Sequence, residues 1–171
     1  TTKYPLFLGS TIGCIEVDPN DASVIYCGLT NVNPKSRLWR IKDANTAEPV
    51  WEDISGNLPS SLPVNWIEVD PEMSAHIIIA TDYGLYSTLN GGLSWNKEMR
   101  IPNVPIDQIR LRHSDRKLFI FTHGRGIWTA DLKNNLDGTL EICMDGIGLT
   151  FNDDKVFIYI LLCLIALMIE F

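Results

Sequence analysis

One short phrase recurs along this chain and limits what it can fold into. Ile15-Glu16-Val17-Asp18-Pro19 returns unchanged as Ile67-Glu68-Val69-Asp70-Pro71, and a weaker echo follows as Ile109-Arg110-Leu111-Arg112-His113. Eleven residues after the start of each copy comes a second apolar run: Tyr26-Cys27-Gly28, Ile78-Ile79-Ala80 and Ile120-Phe121-Thr122. Each copy then reaches an apolar-aromatic pair, Leu38-Trp39, Leu85-Tyr86 or Ile127-Trp128. A unit of forty to fifty residues built from short strands cannot bury its own faces. Copies must stack, as in a solenoid or propeller.

Period-two alternation over four to six residues, broken by turn chemistry, predicts strands and no amphipathic helix across residues 1–133. The units run from about Gly13 to Pro63, Val64 to Pro105 and Ile106 to Lys133. Asp18-Pro19-Asn20-Asp21 and Asp70-Pro71-Glu72 are turn formers, because Asp accepts local backbone hydrogen bonds and Pro presets φ. Asn57-Leu58-Pro59 and Asn90-Gly91-Gly92 close other corners.

Residues 134–171 form an atypical tail. Two weak strands are expected around Leu140 to Met144 and Gly148 to Phe151, and Val156 to Ile169 is an unbroken apolar run. A helix over 156–169 would be roughly 21 Å long, short of the roughly 30 Å hydrocarbon thickness. Three readings stay open for this segment: a membrane-associated tail, an element packed on the preceding sheets, or sequence foreign to the fold. At the other end, Thr1-Thr2-Lys3-Tyr4-Pro5 lacks the order of a signal peptide, and the chain reads as a mature or excised piece.

A net charge of −7 with no Lys/Arg cluster argues against a nucleic-acid partner, whose phosphates call for a basic patch. The four cysteines, at 14, 27, 143 and 163, show no C-x-x-C spacing, so no metal site is expected. If Val17 pairs with Val24 across the first hairpin, Cys14 stands opposite Cys27, and a cross-strand disulfide becomes conceivable. The alternative is two small apolar residues packed between sheets.

Thr88-Leu89-Asn90-Gly91-Gly92-Leu93-Ser94-Trp95 fits the pattern Ser/Thr-x-Asp/Asn-x-Gly-x-Ser/Thr-Trp. Here the chain resembles the Asp-box, or BNR, repeats of sialidase-like β-propellers, such as sortilin-type domains, photosystem II assembly factors and xyloglucan-cleaving glycosidases. Thr81-Asp82-Tyr83-Gly84-Leu85-Tyr86 before the motif and Pro102-Asn103-Val104-Pro105-Ile106 after it follow the same order. Trp51 stands in the first unit where Trp95 stands in the second. Asn90 replaces the Asp of the pattern, which keeps the turn's hydrogen bonding and makes an acid or calcium role less fitting. The resemblance implies a structural role for Thr88, Asn90, Gly92, Ser94 and Trp95: glycines for positive φ, a short polar side chain for the turn's N–H groups, and an indole anchor.

Few residues remain for chemistry. Glycoside hydrolysis needs two carboxyl groups about 5 to 9.5 Å apart. Asp82 is the one acid that departs from the repeat and adjoins an aromatic, Tyr83. His123 and Arg125, interleaved with Gly124 and Gly126, have the makings of an anion contact, or else the glycines shape a bulge and Arg125 pairs with a blade-edge carboxylate. The expected fold is all-β, a partial propeller of about three consecutive four-stranded antiparallel blades plus the apolar segment. The expected function is a non-catalytic recognition or scaffold module, extracellular or periplasmic and potentially membrane-anchored, without a cofactor. It would bind a protein or glycan partner through blade loops, with Tyr83, His123 and Arg125 as ligand contacts. The alternative is a fragment of a xyloglucanase- or sialidase-like hydrolase with Asp82 as its acid. Three units leave two faces uncovered, so further blades of a longer propeller, or self-association, are expected to cover them.

Overall fold

The computed structural model describes residues 11–30 and 37–132. The tail after residue 132, with its expected strands, the apolar run 156–169, Cys143 and Cys163, lies outside the described residues. Among the described residues every regular element is a strand, and no helix is long and apolar enough to cross a membrane.

The strands fall into three antiparallel sheets. Blade 1 holds β1 (Ile12–Asp18), β2 (Asp21–Leu29), β3 (Leu38–Lys42) and β4 (Val50–Asp53), and blade 2 holds β5 (Val64–Asp70), β6 (Met73–Thr81), β7 (Gly84–Thr88) and β8 (Asn96–Lys97). Blade 3 has β9 (Ile106–Arg112), β10 (Lys117–Thr122) and β11 (Ile127–Asp131), three strands among the described residues where four were expected. Strands follow sequence order within each sheet, the meander that short turns enforce. The first strands β1, β5 and β9 pack side by side and are here called the inner strands.

The recurring Asp shapes the first turn. Asp18 Oδ1 accepts the Asn20 N–H at 2.9 Å, and Asp70 Oδ1 accepts the Glu72 N–H at 2.9 Å. Each Asp sits at a register shift, so Ile15 pairs with Cys27 and Ile67 with Ile79. Blade 3 has Arg112 at that position and no such shift; Ile109 therefore pairs with Ile120, one residue earlier. Its turn uses Arg116 at φ 54° and an Arg112–Asp115 ion pair instead. The constant eleven-residue spacing thus conceals a change of register.

Side-chain alternation then sorts the repeats into faces. Ile67, Val69, Ile77, Ile79, Tyr86 and Trp95 of blade 2 point back at blade 1, where they meet Tyr26, Leu38, Ile54, Leu58 and Leu62. Ile78, Ala80 and Leu85 point forward and meet Ile109, Leu111, Leu118 and Ile120 of blade 3. By register, the backward-facing set of blade 1 is Ile15, Val17, Ile25, Cys27, Trp39 and Trp51. Cys27 and Ile41 are buried there by Trp39 and Trp51, whose rings meet edge-on at 6.4 Å. Ile15 and Val17 are 61% and 47% exposed, whereas their equivalents Ile67 and Val69 are 1% and 4% exposed.

This register corrects the expected first hairpin. Val17 faces Ile25, not Val24, so Cys14 stands opposite Gly28 and Cys27 opposite Ile15. Successive positions on a strand point to opposite faces. Cys14 packs toward blade 2 and Cys27 toward the opposite face, and among the described residues both thiols are free. The bulge at Asp18 supplies the one-residue shift that sequence pairing omits.

Candidate functional site

Four of the residues singled out from the sequence fall on one rim. Asp82 and Tyr83 form the β6–β7 turn, and His123 to Gly126 form the β10–β11 turn. Asn65, at the start of β5, joins the two: its Nδ2 donates to Asp82 Oδ1 at 2.9 Å and to the Ile106 carbonyl at 3.1 Å. Asp107, the next residue, lies 3.5 Å from His123 Nδ1, and the His123 N–H donates to the Pro105 carbonyl at 2.8 Å. The turns themselves are built alike. Thr81 Oγ1 donates to the Gly84 carbonyl and Thr122 Oγ1 to the Gly126 carbonyl, each at 2.6 Å, with positive φ at both glycines. Tyr83, His123 and Arg125 are exposed, and Trp128 Nε1 donates to the Arg125 carbonyl. The rim therefore presents a phenol, an imidazole and a guanidinium on turns whose backbones are fixed. Asp82 is half-buried and its Oδ1 is engaged by Asn65, so it supports the rim. Among the described residues Arg125 has no blade-edge carboxylate partner.

The Thr88–Trp95 motif lies at the opposite edge and is consumed by its own fold. Asn90 Oδ1 accepts the Ser94 N–H at 2.9 Å and the Thr88 hydroxyl at 2.8 Å, while Thr88 Oγ1 accepts the N–H groups of Asn90 and Gly92. Trp95 Nε1 donates to the Ile54 carbonyl at 2.9 Å. Asn57 clamps the Trp95 backbone on both sides, accepting its N–H at 2.6 Å and donating to its carbonyl at 3.1 Å. Gly92 has φ 93°, and a Cβ there would lie 2.6 Å from Ile54 Cβ. The turn is a rivet between blades 1 and 2.

At that same edge two acids clamp neighbouring blades. Asp18 takes hydrogen bonds from Tyr26 in its own blade and Ser74 in the next. Asp70 takes them from His76 in its own blade and Arg116 in the next. Burial pushes the Asp70 carboxyl up, but His76, Arg116 and the Glu72 N–H outweigh it and hold the group well below the usual carboxylate range. In turn, Asp70 raises the Arg116 guanidinium.

A third group was not anticipated. Glu16, Glu68 and Arg110 occupy one repeat position on the three inner strands. Glu68 Oε1 accepts the Leu111 N–H of β9 at 3.2 Å, satisfying an edge donor of the next blade, while among the described residues Oε2 and the nearby Trp66 Nε1 are buried without a partner in hydrogen-bonding geometry. Arg110 lies over the Trp66 ring at 4.5 Å. Burial, opposed by the Leu111 N–H and reinforced by Glu16, pushes the Glu68 carboxyl up to about 8. Glu16 is also raised by burial, against the pull of Arg110. The available signal was a charged residue alternating with Ile and Val in a strand that the repeat requires to be covered.

A model of the MADD C-terminal PH-like domain family matches residues 124–163, less than half of the chain; its described part is the last turn and β11. No curated protein matches. Among solved structures, the β-propeller domain of Cps50 (Swd1) from Myceliophteria thermophila aligns over 78% of this chain and 45% of its own, with 16% identity and a TM-score of 0.61. An ancestral GH74 enzyme aligns over 67% of this chain and 14% of its own, with 22% identity and a TM-score of 0.53. The GH74 xyloglucanase from Xanthomonas campestris aligns over 70% and 22%, with 16% identity and a TM-score of 0.53. The chain spans less than half the length of each. At these identities the likeness is one of fold: the described residues are part of a β-propeller.

Proposed function

We propose that the chain is a recognition or scaffold part of a propeller of the Asp-box type, working outside the cytoplasm and binding a protein or glycan through the rim of Tyr83, His123 and Arg125. The observation that carries this reading is the division of labour between the two edges. The motif residues at one edge are spent on hydrogen bonds within and between blades, while the opposite rim holds three exposed polar or aromatic side chains on rigid turns. A backbone already fixed loses little entropy on binding, which leaves the ordering of the side chains as the main entropic cost. The uncovered apolar face of Ile15 and Val17 is where a further blade, from a longer polypeptide or a second copy, continues the ring.

The second reading, part of a glycoside hydrolase, draws on the two GH74 neighbours. The carboxyl pair whose environment suits an acid is Glu16 and Glu68, but Glu68 is only 5% exposed, which leaves little approach for a glycosidic oxygen. It therefore ranks second. The test is a glycan-array and xyloglucan-turnover measurement on the whole chain beside Tyr83→Ala and Arg125→Ala. Binding without turnover, weakened in both variants, is the expected result. Turnover abolished by Asp82→Asn or Glu68→Gln would overturn it in favour of the hydrolase.

A further inference from the structure

We infer that Glu68 and Arg110 form a proton-controlled switch at the inner seam between blades 2 and 3. While Glu68 carries its proton, the Arg110 guanidinium rests on Trp66; when the proton leaves, the guanidinium turns to the bare Oε2 of the carboxylate. This goes beyond the recognition reading and does not depend on it.

The geometry fits the protonated arm. Glu68 and Trp66 lie on the same face of β5, two residues apart, and Arg110 reaches that face from β9. A guanidinium beside an ionised, covered carboxylate pairs with it, because a buried charge without a partner is costly. Here Arg110 stacks on the indole at 4.5 Å instead, and among the described residues Oε2 has no partner in hydrogen-bonding geometry. Among the described residues the bond to Glu68 that meets hydrogen-bonding geometry, from the Leu111 N–H to Oε1, is open to a neutral carboxyl too, though stronger to an ionised one.

The charged and titratable neighbours are few. Glu16 faces the group from β1 and disfavours its ionisation, and Arg110 on β9 favours it. The Leu111 N–H and the Trp66 indole complete the surroundings and also favour the ionised form. Losing the proton leaves the attraction of the indole unchanged but supplies a stronger electrostatic partner within the same seam. Glu16 then competes for the same guanidinium, so the redistribution reaches β1 as well.

The experiment is carboxyl NMR on the full chain labelled with 13C at Glu, read together with the Trp66 indole N–H resonance between pH 5 and 10. Glu68→Gln and Trp66→Phe assign the two signals. The expected result is a Glu68 midpoint near pH 8 and a Trp66 shift with the same midpoint, absent in Glu68→Gln. Arg110→Ala should move the Glu68 midpoint upward by removing the cation. A Glu68 midpoint in the ordinary range near 4 to 5 would overturn the switch. So would a Trp66 resonance indifferent to pH, or one still titrating in Glu68→Gln. Should Glu68→Gln fail to fold, the Arg110→Ala comparison decides alone: an unmoved Glu68 midpoint refutes the coupling.

Discussion

Deleting the Arg116 guanidinium should cost more than deleting the neutral donor in the same turn of the neighbouring blade, because it strands a covered charge. The Asp70 side chain is fully buried and accepts from Arg116 Nη1 at 3.1 Å and Nη2 at 2.7 Å, from His76 Nδ1 at 2.9 Å and from the Glu72 N–H at 2.9 Å. Arg116→Ala removes the first two and the permanently charged partner. Breaking a buried pair from one side costs about 3–5 kcal/mol, and because Arg116 is 19% exposed, water enters the gap and the low end applies, about 3 kcal/mol. Ser74→Ala is the internal control. It removes the hydroxyl that donates to Asp18 Oδ1 at 2.9 Å, worth about 1.5 kcal/mol, while Asp18 keeps Tyr26 and the Asn20 N–H. The Asp70 carboxyl is held below its unfolded value of 3.8, so its contribution is present above that value and is lost as pH falls toward the folded one. Urea unfolding followed by tryptophan fluorescence at pH 7 and below pH 4 reads both effects. The wild type and Arg116→Ala should differ most at pH 7 and converge on acidification. A cost for Arg116→Ala no larger than that for Ser74→Ala, or a gap that acid leaves unchanged, would refute the reasoning.

Four further outcomes follow from local surroundings. Gly92→Ala should lose about 3 kcal/mol or more in thermal unfolding, since its Cβ would collide with Ile54 at a φ of 93°. Gly124→Ala, with nothing within 4 Å and a φ of 78°, should lose only about 1 kcal/mol. Asn57→Ala should cost about 2 kcal/mol in the same assay by leaving both Trp95 backbone groups unpaired. Burial pushes the Cys14 thiol up to about 12 and raises Cys27, so neither should react with iodoacetamide at pH 8 in the folded chain. Both should react in denaturant without reductant, as intact mass would show; a mass two hydrogens short would point to the disulfide instead.

Much of the fold is legible because repetition exposes it. Two identical copies of Ile-Glu-Val-Asp-Pro mark a strand and its Asp-capped turn, and the apolar-aromatic pairs mark a further strand in each unit. Pattern alone gave no register. Spacing is constant in all three units, yet the bulge at Asp18 and Asp70 is missing where Arg112 stands, and one residue of slip exchanges the faces of an entire strand. That slip separates Cys14 from Cys27.

The chain's own letters thus determined strands, turns and the order of the sheets, all of which depend on neighbours close in sequence. Only the tertiary structure decided which side chains meet across blades. Asn65 joins Asp82 to Ile106, Arg116 reaches Asp70, and Glu16, Glu68 and Arg110 become neighbours, each across a seam between residues more than fifteen positions apart. The physical reason is that stacking sheets turns one repeat position into a spatial cluster. What a charged residue does there depends on the desolvation and partners that the stacked neighbours impose, and a strand read by itself contains neither.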